Sequence, residues 1–315
     1  MDVSIIIPVY NAKDFILSCL KSVSNQTYKG RIECIIIDDC GSDDSVRIIE
    51  TYIDEQPSSV YYKLFHQSYN QGPSAARNRG IRESQGDYIF FLDADDEITP
   101  HCLESLYSLA KVHKLDYVQG TYQGNHNRIF DSSLLDNNNC LLDLKGIKRT
   151  LLNYNIIPFT PHNRLVRRQM LIDNKLFFNE EIRVREDFLW MTFVAKYVKR
   201  MGCSHEVTYI RGYNEDSLTH NINIERDIKG YRVLIETMAA NLDLFLIGEQ
   251  KELLLSTLIM CIDSEYYHSR EEKKHLIDVV KRQNSIIENI LLSCYLKTKN
   301  AKILHTLIRL YKYNG

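Results

Sequence analysis

Three carboxylates in four residues, Asp93-Ala94-Asp95-Asp96, follow directly on the apolar run Tyr88-Ile89-Phe90-Phe91-Leu92. Charge this dense at the end of a buried segment is costly unless a cation or hydrogen bonds balance it. A divalent metal is the simplest compensation. Mg²⁺ or Mn²⁺ takes oxygen ligands and is often held by one or two carboxylates together with substrate phosphates, so such a site handles diphosphates. The bland alternative is a solvated acidic turn that caps the next helix. A second acidic pair, Asp38-Asp39, ends another apolar run, Cys34-Ile35-Ile36-Ile37, and its carboxylates suit donors such as a ribose hydroxyl or a base N–H.

The elements that must position these groups alternate from the first residue. Val3 to Pro8 is a short, mostly β-branched run stopped by proline, the pattern of a strand buried on both faces. Asn11 is placed to cap a helix carrying Phe15, Ile16, Cys19, Leu20 and Val23. After the strand at Cys34–Ile37 come a helix around Val46–Ile53, a strand at Val60–Phe65, a helix at Pro73–Ser84 and the strand at Tyr88–Leu92. This alternation predicts an α/β fold of parallel β-α-β units with helices on both faces and functional groups gathered beyond the strands' carboxyl ends.

Beyond Tyr122 the order weakens. The span from Gln123 to Asn139 is a polar excursion, a mixed region follows to about Asn223, and a helix begins just after Arg185-Glu186-Asp187. From Ile224 onward the sequence has no Pro, few Gly and helical apolar spacing. The expected division is therefore a catalytic domain at residues 1–223 and an all-helical C-terminal domain at residues 224–315. Near the end, Ile303, Leu304, Leu307, Ile308, Leu310 and Tyr311 share one helical face, and all charged residues after Asn289 are basic. Such a helix either binds an anionic membrane surface or packs on the protein with a solvated basic face.

Composition narrows the class further. A formal net charge of −2 in 315 residues argues against broad nucleic-acid binding. Eight scattered cysteines, with no CxxC pair and no zinc-ligand spacing to His, are expected as free thiols. No apolar run reaches the length of a membrane-spanning helix and the first residues lack a basic leader, so a cytoplasmic location is expected.

Four ordered blocks carry a resemblance: Pro8-Val9-Tyr10-Asn11, Asp38-Asp39-Cys40-Gly41-Ser42-Asp43, Gly72-Pro73-Ser74-Ala75-Ala76-Arg77-Asn78-Arg79-Gly80 and Asp93-Ala94-Asp95-Asp96. Together they resemble inverting glycosyltransferase family 2, with its GT-A (Rossmann-like, nucleotide-diphospho-sugar transferase) core, over residues 1 to about 220. The resemblance implies transfer of a sugar from a nucleoside-diphosphate sugar, with uridine the family's preferred base, to an acceptor hydroxyl in bacterial surface-polysaccharide or lipopolysaccharide assembly. It implies that Pro8, Tyr10 and Asp39 line the nucleoside pocket with Asp39 facing the base. By the same likeness Asp93 lies near ribose and metal, and Asp95 is the principal ligand of Mn²⁺ or Mg²⁺, helped by Asp93 or Asp96. Arg77 belongs to a block that faces the donor, where an arginine serves a diphosphate as a bidentate counter-charge.

Later blocks extend the likeness. Asp187 of the Glu186-Asp187 pair matches the family's catalytic base, which accepts the acceptor's hydroxyl proton; the alternative is a helix-start carboxylate that complements the dipole. Tyr209-Ile210-Arg211 and Ser217-Leu218-Thr219-His220 resemble the region near the diphosphate. His220 either completes the metal shell, contacts phosphate or is an ordinary structural histidine. Two departures stand out: Gly41 replaces the family's usual Ser, and His162 of His162-Asn163-Arg164 replaces a commoner aromatic residue, which bears on acceptor shape. A nucleotidyltransferase would want a Gly-rich phosphate loop where Val9-Tyr10-Asn11-Ala12-Lys13 stands, and an Asp-x-Asp phosphatase would carry its motif after the first strand. The rival of another class is a non-catalytic nucleotide-sugar-binding or scaffolding subunit of the same fold. Expected partners are the donor and a saccharide or lipid-linked saccharide acceptor, with peripheral contact at the inner membrane surface.

Overall fold

Strands form where β-branched runs are long enough to bury both faces. Val3–Val9 (β1) and Ile32–Asp38 (β2) pair in parallel in register Val3 to Ile32 through Val9 to Asp38. The computed structural model describes residues 1–55, 59–123, 141–142, 144–151, 160–183, 185–212 and 214, and beyond these 224–240, 255, 258, 270–282, 292 and 296. Helix Ile16–Ser24 (α1) joins β1 to β2, and Ser45–Glu55 (α2) leads to Val60–His66 (β3), which adds to β2 in parallel. Pro73–Glu83 (α3) then returns the chain to the other side of β1, where Tyr88–Phe91 (β4) pairs with β1 in parallel. Alternate strand residues serve two layers: Ile5, Ile7, Cys34 and Ile36 join one core with α1 and α2, whereas Ile35 and Ile37 meet Ala76 of α3.

The strand order reverses at this point. Among the described residues the sheet runs β3-β2-β1-β4 and then Arg164–Arg167 (β8), Tyr117–Gln123 (β6), Met201–Ile210 (β9) and Glu97–Ile98 (β5), so β1 and β4 are neighbours whose connections leave in opposite directions. Open α/β sheets form their ligand crevice at such a reversal, outside the carboxyl ends of the two strands. The segments after β1 and β4, which hold Tyr10 and Asp93, border that crevice.

The other half of the sheet is mixed rather than a continued parallel series. Glu97–Ile98 (β5), Cys102–His113 (α4) and Tyr117–Gln123 (β6) are followed by Leu141–Leu142 (β7), Leu144–Leu151 (α5), Arg164–Arg167 (β8), Arg168–Asp173 (α6), Glu186–Tyr197 (α7) and Met201–Ile210 (β9). Strand β8 runs antiparallel to both β4 and β6, β9 runs parallel to β6, and β5 and β7 pair antiparallel with β9. The alternation of β-α-β units legible in the sequence ends at β4, because the alternating, partly polar strands β8 and β9 carry a weaker pattern than buried runs. Asn11 is not the cap of α1: Phe15 occupies that position without a side-chain cap, while Asn11 takes a left-handed φ of 49°. The polar excursion at residues 124–140 and the basic amphipathic segment at residues 303–311 lie outside the described residues.

The chain divides into two compact units, Met1–Glu181 with Trp190–Asn221, and Ile182–Leu189 with Ile222–Gly315. The boundary expected from the sequence lies at residue 223, with Ile182–Leu189 in the first part. Within the second unit, Ile224–Ala240 (α8) and Arg270–Lys281 (α9) meet through His275 Nε2, 2.8 Å from Glu236 Oε1. No helix among the described residues is long and apolar enough to cross a membrane.

One buried charge ties the parallel half together. Glu33, fully buried in β2, accepts hydrogen bonds from Ser4 Oγ (2.6 Å), the Gln85 backbone N–H (2.6 Å) and Lys63 Nζ (2.8 Å). Burial works against ionisation of Glu33, but Lys63, Ser4 and the Gln85 amide outweigh it and hold the carboxyl below its ordinary value. A depressed carboxyl adds stability that is present above the unfolded pKa and lost as pH falls through the folded one. We expect Lys63→Ala to cost about 3 kcal/mol at neutral pH, the scale for stripping one partner from a buried pair. Urea unfolding should show that deficit shrinking below about pH 4, where the unfolded-state carboxyl protonates; a deficit independent of pH contradicts the assignment.

Candidate active site

The loops at the reversal are built around Asp38 and Asp39. Asp38 accepts from the Gly41 backbone N–H (3.2 Å) and from His66 Nδ1 (3.0 Å), which folds the loop after β2. Asn11 Oδ1 accepts from the Ser42 backbone N–H at 2.8 Å and so ties the β1 loop to the β2 loop. A Cβ at Gly41 would stand 3.1 Å from the Asn11 backbone N and Oδ1. The serine usual in the resemblance would require Asn11 to give way by a few tenths of an ångström here. Tyr10 projects beyond β1 with 52% of its surface exposed, and Pro8 is half-buried beneath it in the strand.

Asp39 is spent on the approach to α3. Its Oδ1 accepts from Gln67 Nε2 (2.5 Å) and the Gln71 backbone N–H (2.7 Å), and its Oδ2 accepts from the Gly72 backbone N–H (2.7 Å). Gly72 has a φ of 91°, which residues with a side chain rarely adopt, and Pro73 starts the helix at once. A single buried carboxylate therefore fixes where α3 begins and, through it, where Arg77 stands.

Arg77 reaches from α3 to the end of β4. Its Nη2 donates to Asp93 Oδ1 at 3.0 Å, and its guanidinium lies over the Phe178 ring at 5.5 Å. The other oxygen, Asp93 Oδ2, lies 3.1 Å from His162 Nδ1. An ionised carboxylate only accepts, so Nδ1 carries the proton in this contact. Burial disfavours the Asp93 anion, yet Arg77 and His162 outweigh it and hold the carboxyl well below the usual carboxylate range.

Asp96 is placed differently. It is 4% exposed, with Oδ2 accepting from Tyr209 Oη (2.6 Å) and Oδ1 from the Gly212 backbone N–H (2.7 Å). Burial pushes its carboxyl up to about 6, reinforced by the negative neighbours Asp93 and Asp95 and opposed by His162 and the Tyr209 hydrogen bond. Gly212 cannot carry a side chain, since a Cβ would collide with the Asp95 carbonyl oxygen. The Asp95 carboxylate accepts from Asn214 Nδ2 at 3.1 Å.

Among the described residues, the ligand atoms of Asp93, Asp96 and His162 lie within 4.8 Å of one another, a spacing one metal ion could bridge. Asp95, the expected principal ligand, is adjacent in sequence but outside this group. His162 was read only for acceptor shape; no local spacing could have placed it beside a carboxylate 69 positions earlier. Its ring stacks on Tyr209 with centroids 4.8 Å apart and planes 13° apart, and Tyr209 in turn holds Asp96. Neither aromatic contact has a signature in the sequence.

The remaining expected site residues are scattered. Arg211 is exposed just past β9, and His220 lies outside the described residues. Asp187 stands in the first turn of α7, accepts from the Phe188 backbone N–H at 2.7 Å and belongs to the span Ile182–Leu189. Arg185 just before it has a φ of 69°.

The model of the family "Glycosyl transferase family 2" matches residues 4–174. The chain belongs to that family. It is 32% identical over 212 residues to a poly(ribitol-phosphate) beta-glucosyltransferase of Bacillus spizizenii, covering 66% of this chain and 32% of that one. It is 28% identical over 220 residues to the GalNAc(5)-diNAcBac-PP-undecaprenol beta-1,3-glucosyltransferase of Campylobacter jejuni, covering 69% and 66%. The chain thus spans only about a third of the length of the Bacillus relative. Among solved structures it is similar to residues 1–349 of S. aureus TarS in complex with UDP-GlcNAc, with a TM-score of 0.72 and 21% identity over 100% of this chain and 93% of that one. That likeness establishes the fold, a GT-A core.

Tyr209 is the residue on which Asp96 depends. Replacing it with Phe keeps the stack on His162 but leaves a buried carboxylate oxygen without its donor. We expect Tyr209→Phe to lower stability in urea by about 1–3 kcal/mol, the cost of an unsatisfied buried acceptor. Unchanged stability contradicts the assigned contact.

Proposed function

We propose that this chain is a metal-dependent, inverting glycosyltransferase that moves a sugar from a nucleoside-diphosphate sugar, with UDP as its nucleotide, to an acceptor hydroxyl. One observation carries the proposal: a loop held by Asp39, the α3-borne Arg77 and the carboxylates after β4 converge where the strand order reverses. Donor chemistry is matched group by group. Tyr10 and Pro8 offer an exposed ring and an apolar surface for the base, and Asp39 orders the Gln71-Gly72 backbone beside it. Arg77, oriented by Asp93, supplies fixed positive charge toward the diphosphate side. Arg211 and His220 take the diphosphate region by family resemblance.

The donor set fits a divalent oxygen-seeking ion, with Asp95, Asp93 and Asp96 as its proposed carboxylate ligands. A Mn²⁺ or Mg²⁺ ion held by these residues would offset the charge that grows on the departing nucleoside diphosphate. Asp187 accepts the acceptor's hydroxyl proton as that oxygen bonds to the anomeric carbon and the bond to the diphosphate breaks on the opposite face. A single displacement of this kind inverts the anomeric centre.

Two named relatives support an acceptor class, one a poly(ribitol-phosphate) beta-glucosyltransferase and one a glucosyltransferase named for an undecaprenol-linked glycan. We assign this chain a saccharide or lipid-linked saccharide acceptor in cell-surface glycan synthesis, reached from the cytoplasmic face of the membrane.

Asp187→Asn should lower sugar transfer by about 10²–10⁴-fold, the usual contribution of a general base. Calorimetry should meanwhile show UDP-sugar affinity within about twofold of the wild type, because the lost group acts on the acceptor proton. Normal turnover in this variant removes Asp187 from the mechanism. Chelation with EDTA should stop release of UDP from the donor and added Mn²⁺ should restore it; release that persists in EDTA contradicts metal dependence.

A further inference from the structure

We infer that His162 is a metal ligand of this chain, which turns an all-carboxylate site into a mixed nitrogen and oxygen site that selects Mn²⁺ over Mg²⁺. The inference rests on the proposed glycosyltransferase reading and adds a residue that neither the acidic motif nor the family likeness supplies.

Geometry is the first support. His162 Nδ1 lies 3.1 Å from Asp93 Oδ2. Two cis ligands of an octahedral ion held at about 2.1 Å stand about 3.0 Å apart, so these atoms already have the separation of neighbouring ligands. Asp96 closes the group, with all three ligand atoms within 4.8 Å of one another.

Preorganisation is the second. The residue is 8% exposed and bridges to Phe91 of the neighbouring strand, and its ring is stacked on Tyr209. Tyr209 also donates to Asp96 at 2.6 Å, so one aromatic side chain orients two of the three donors. Metal sites are supported in this way by outer residues that fix ligand direction. Arg77 holds Asp93 through Oδ1, which leaves Oδ2 facing the imidazole side.

Proton balance is simple. Metal binding at Nδ1 displaces to solvent the proton that Nδ1 shares with Asp93, and the freed lone pair becomes the ligand. Nitrogen donors favour the later first-row ions, whereas Mg²⁺ prefers oxygen and dehydrates reluctantly. The imidazole therefore discriminates between two ions that carboxylates alone accept alike.

Pulsed EPR of Mn²⁺ bound to the whole chain with saturating UDP tests the inference directly. We expect a ¹⁴N coupling that becomes a ¹⁵N coupling in protein grown on ¹⁵N-histidine, disappears in His162→Phe and persists in His220→Ala. Phe retains a ring to stack on Tyr209; if that variant does not fold, His162→Gln replaces it, and the labelled wild type is decisive by itself for nitrogen ligation. Calorimetry on the same proteins should show the Mn²⁺-to-Mg²⁺ affinity ratio falling about tenfold or more when His162 is lost, the scale for removal of a metal-site partner. Bound Mn²⁺ without nitrogen coupling, or coupling lost in His220→Ala and kept in His162→Phe, overturns the inference while leaving the glycosyltransferase reading intact. Absence of any Mn²⁺ binding with UDP overturns the inference together with the proposed metal dependence.

Discussion

The Asp93 carboxylate sits at the end of a strand buried on both faces, and its charge must be balanced from within the protein. Arg77 and His162 supply that balance, one oxygen each. Both come from distant parts of the chain, so the requirement imposes constraints on three segments. Helix α3 must begin where Asp39 and Gly72 place it, because one turn further along the arginine no longer reaches β4. Residues before β8 must run alongside β4 to bring in the imidazole. The loop after β4 must turn back so that Asp96, less easily ionised, finds Tyr209 and Gly212. Two carboxylates three residues apart thereby acquire opposite tendencies: Asp93 is held as an anion and Asp96 is pushed toward the neutral acid.

The two halves of the sheet divide the work accordingly. The parallel half, through β1, β2 and β4, forms the reversal in strand order and the loops that border it. The mixed half contributes what lines the acidic cluster from behind: His162 ahead of β8, and Tyr209, Gly212 and Asn214 at and beyond the end of β9. Tyr209 links the two, since its hydroxyl holds Asp96 and accepts the Asp93 backbone N–H at 3.4 Å. A site made this way has its ligands oriented by packing rather than by loop conformation alone.

Much of the parallel half was legible in sequence because buried strands and amphipathic helices write their periods locally. Strands β1, β2 and β4 and helix α3 begin and end within a residue or two of their expected bounds, and Asp93–Asp96 was found from its place after β4. Strand order was not legible, since nothing in α3 says on which side of β1 the chain returns. Asp39, expected to face a base, has a carboxylate that accepts three donors from the Gln67–Gly72 segment, contacts that residue type alone does not announce. Asn11, expected as a helix cap, instead bonds to Ser42, because the tie between two loops prevailed over a local cap. The contacts of His162 and Tyr209 are not legible in the sequence for the same reason. Their importance lies in contacts with residues 69 and 113 positions away, and residue type alone does not announce such pairs.

The central claim is that the reversal between β1 and β4 is a nucleoside-diphosphate site organised by Asp39, Arg77 and the acidic cluster. Hydrogen exchange followed by mass spectrometry, with and without UDP and Mn²⁺, tests it most directly. Slowed exchange is expected in the segments around residues 8–11, 38–43, 67–77, 93–96, 160–164 and 209–214, with strands β6 and β7 and helix α4 unchanged. Slowed exchange elsewhere with none in these segments, or no change at saturating UDP and Mn²⁺, would contradict it.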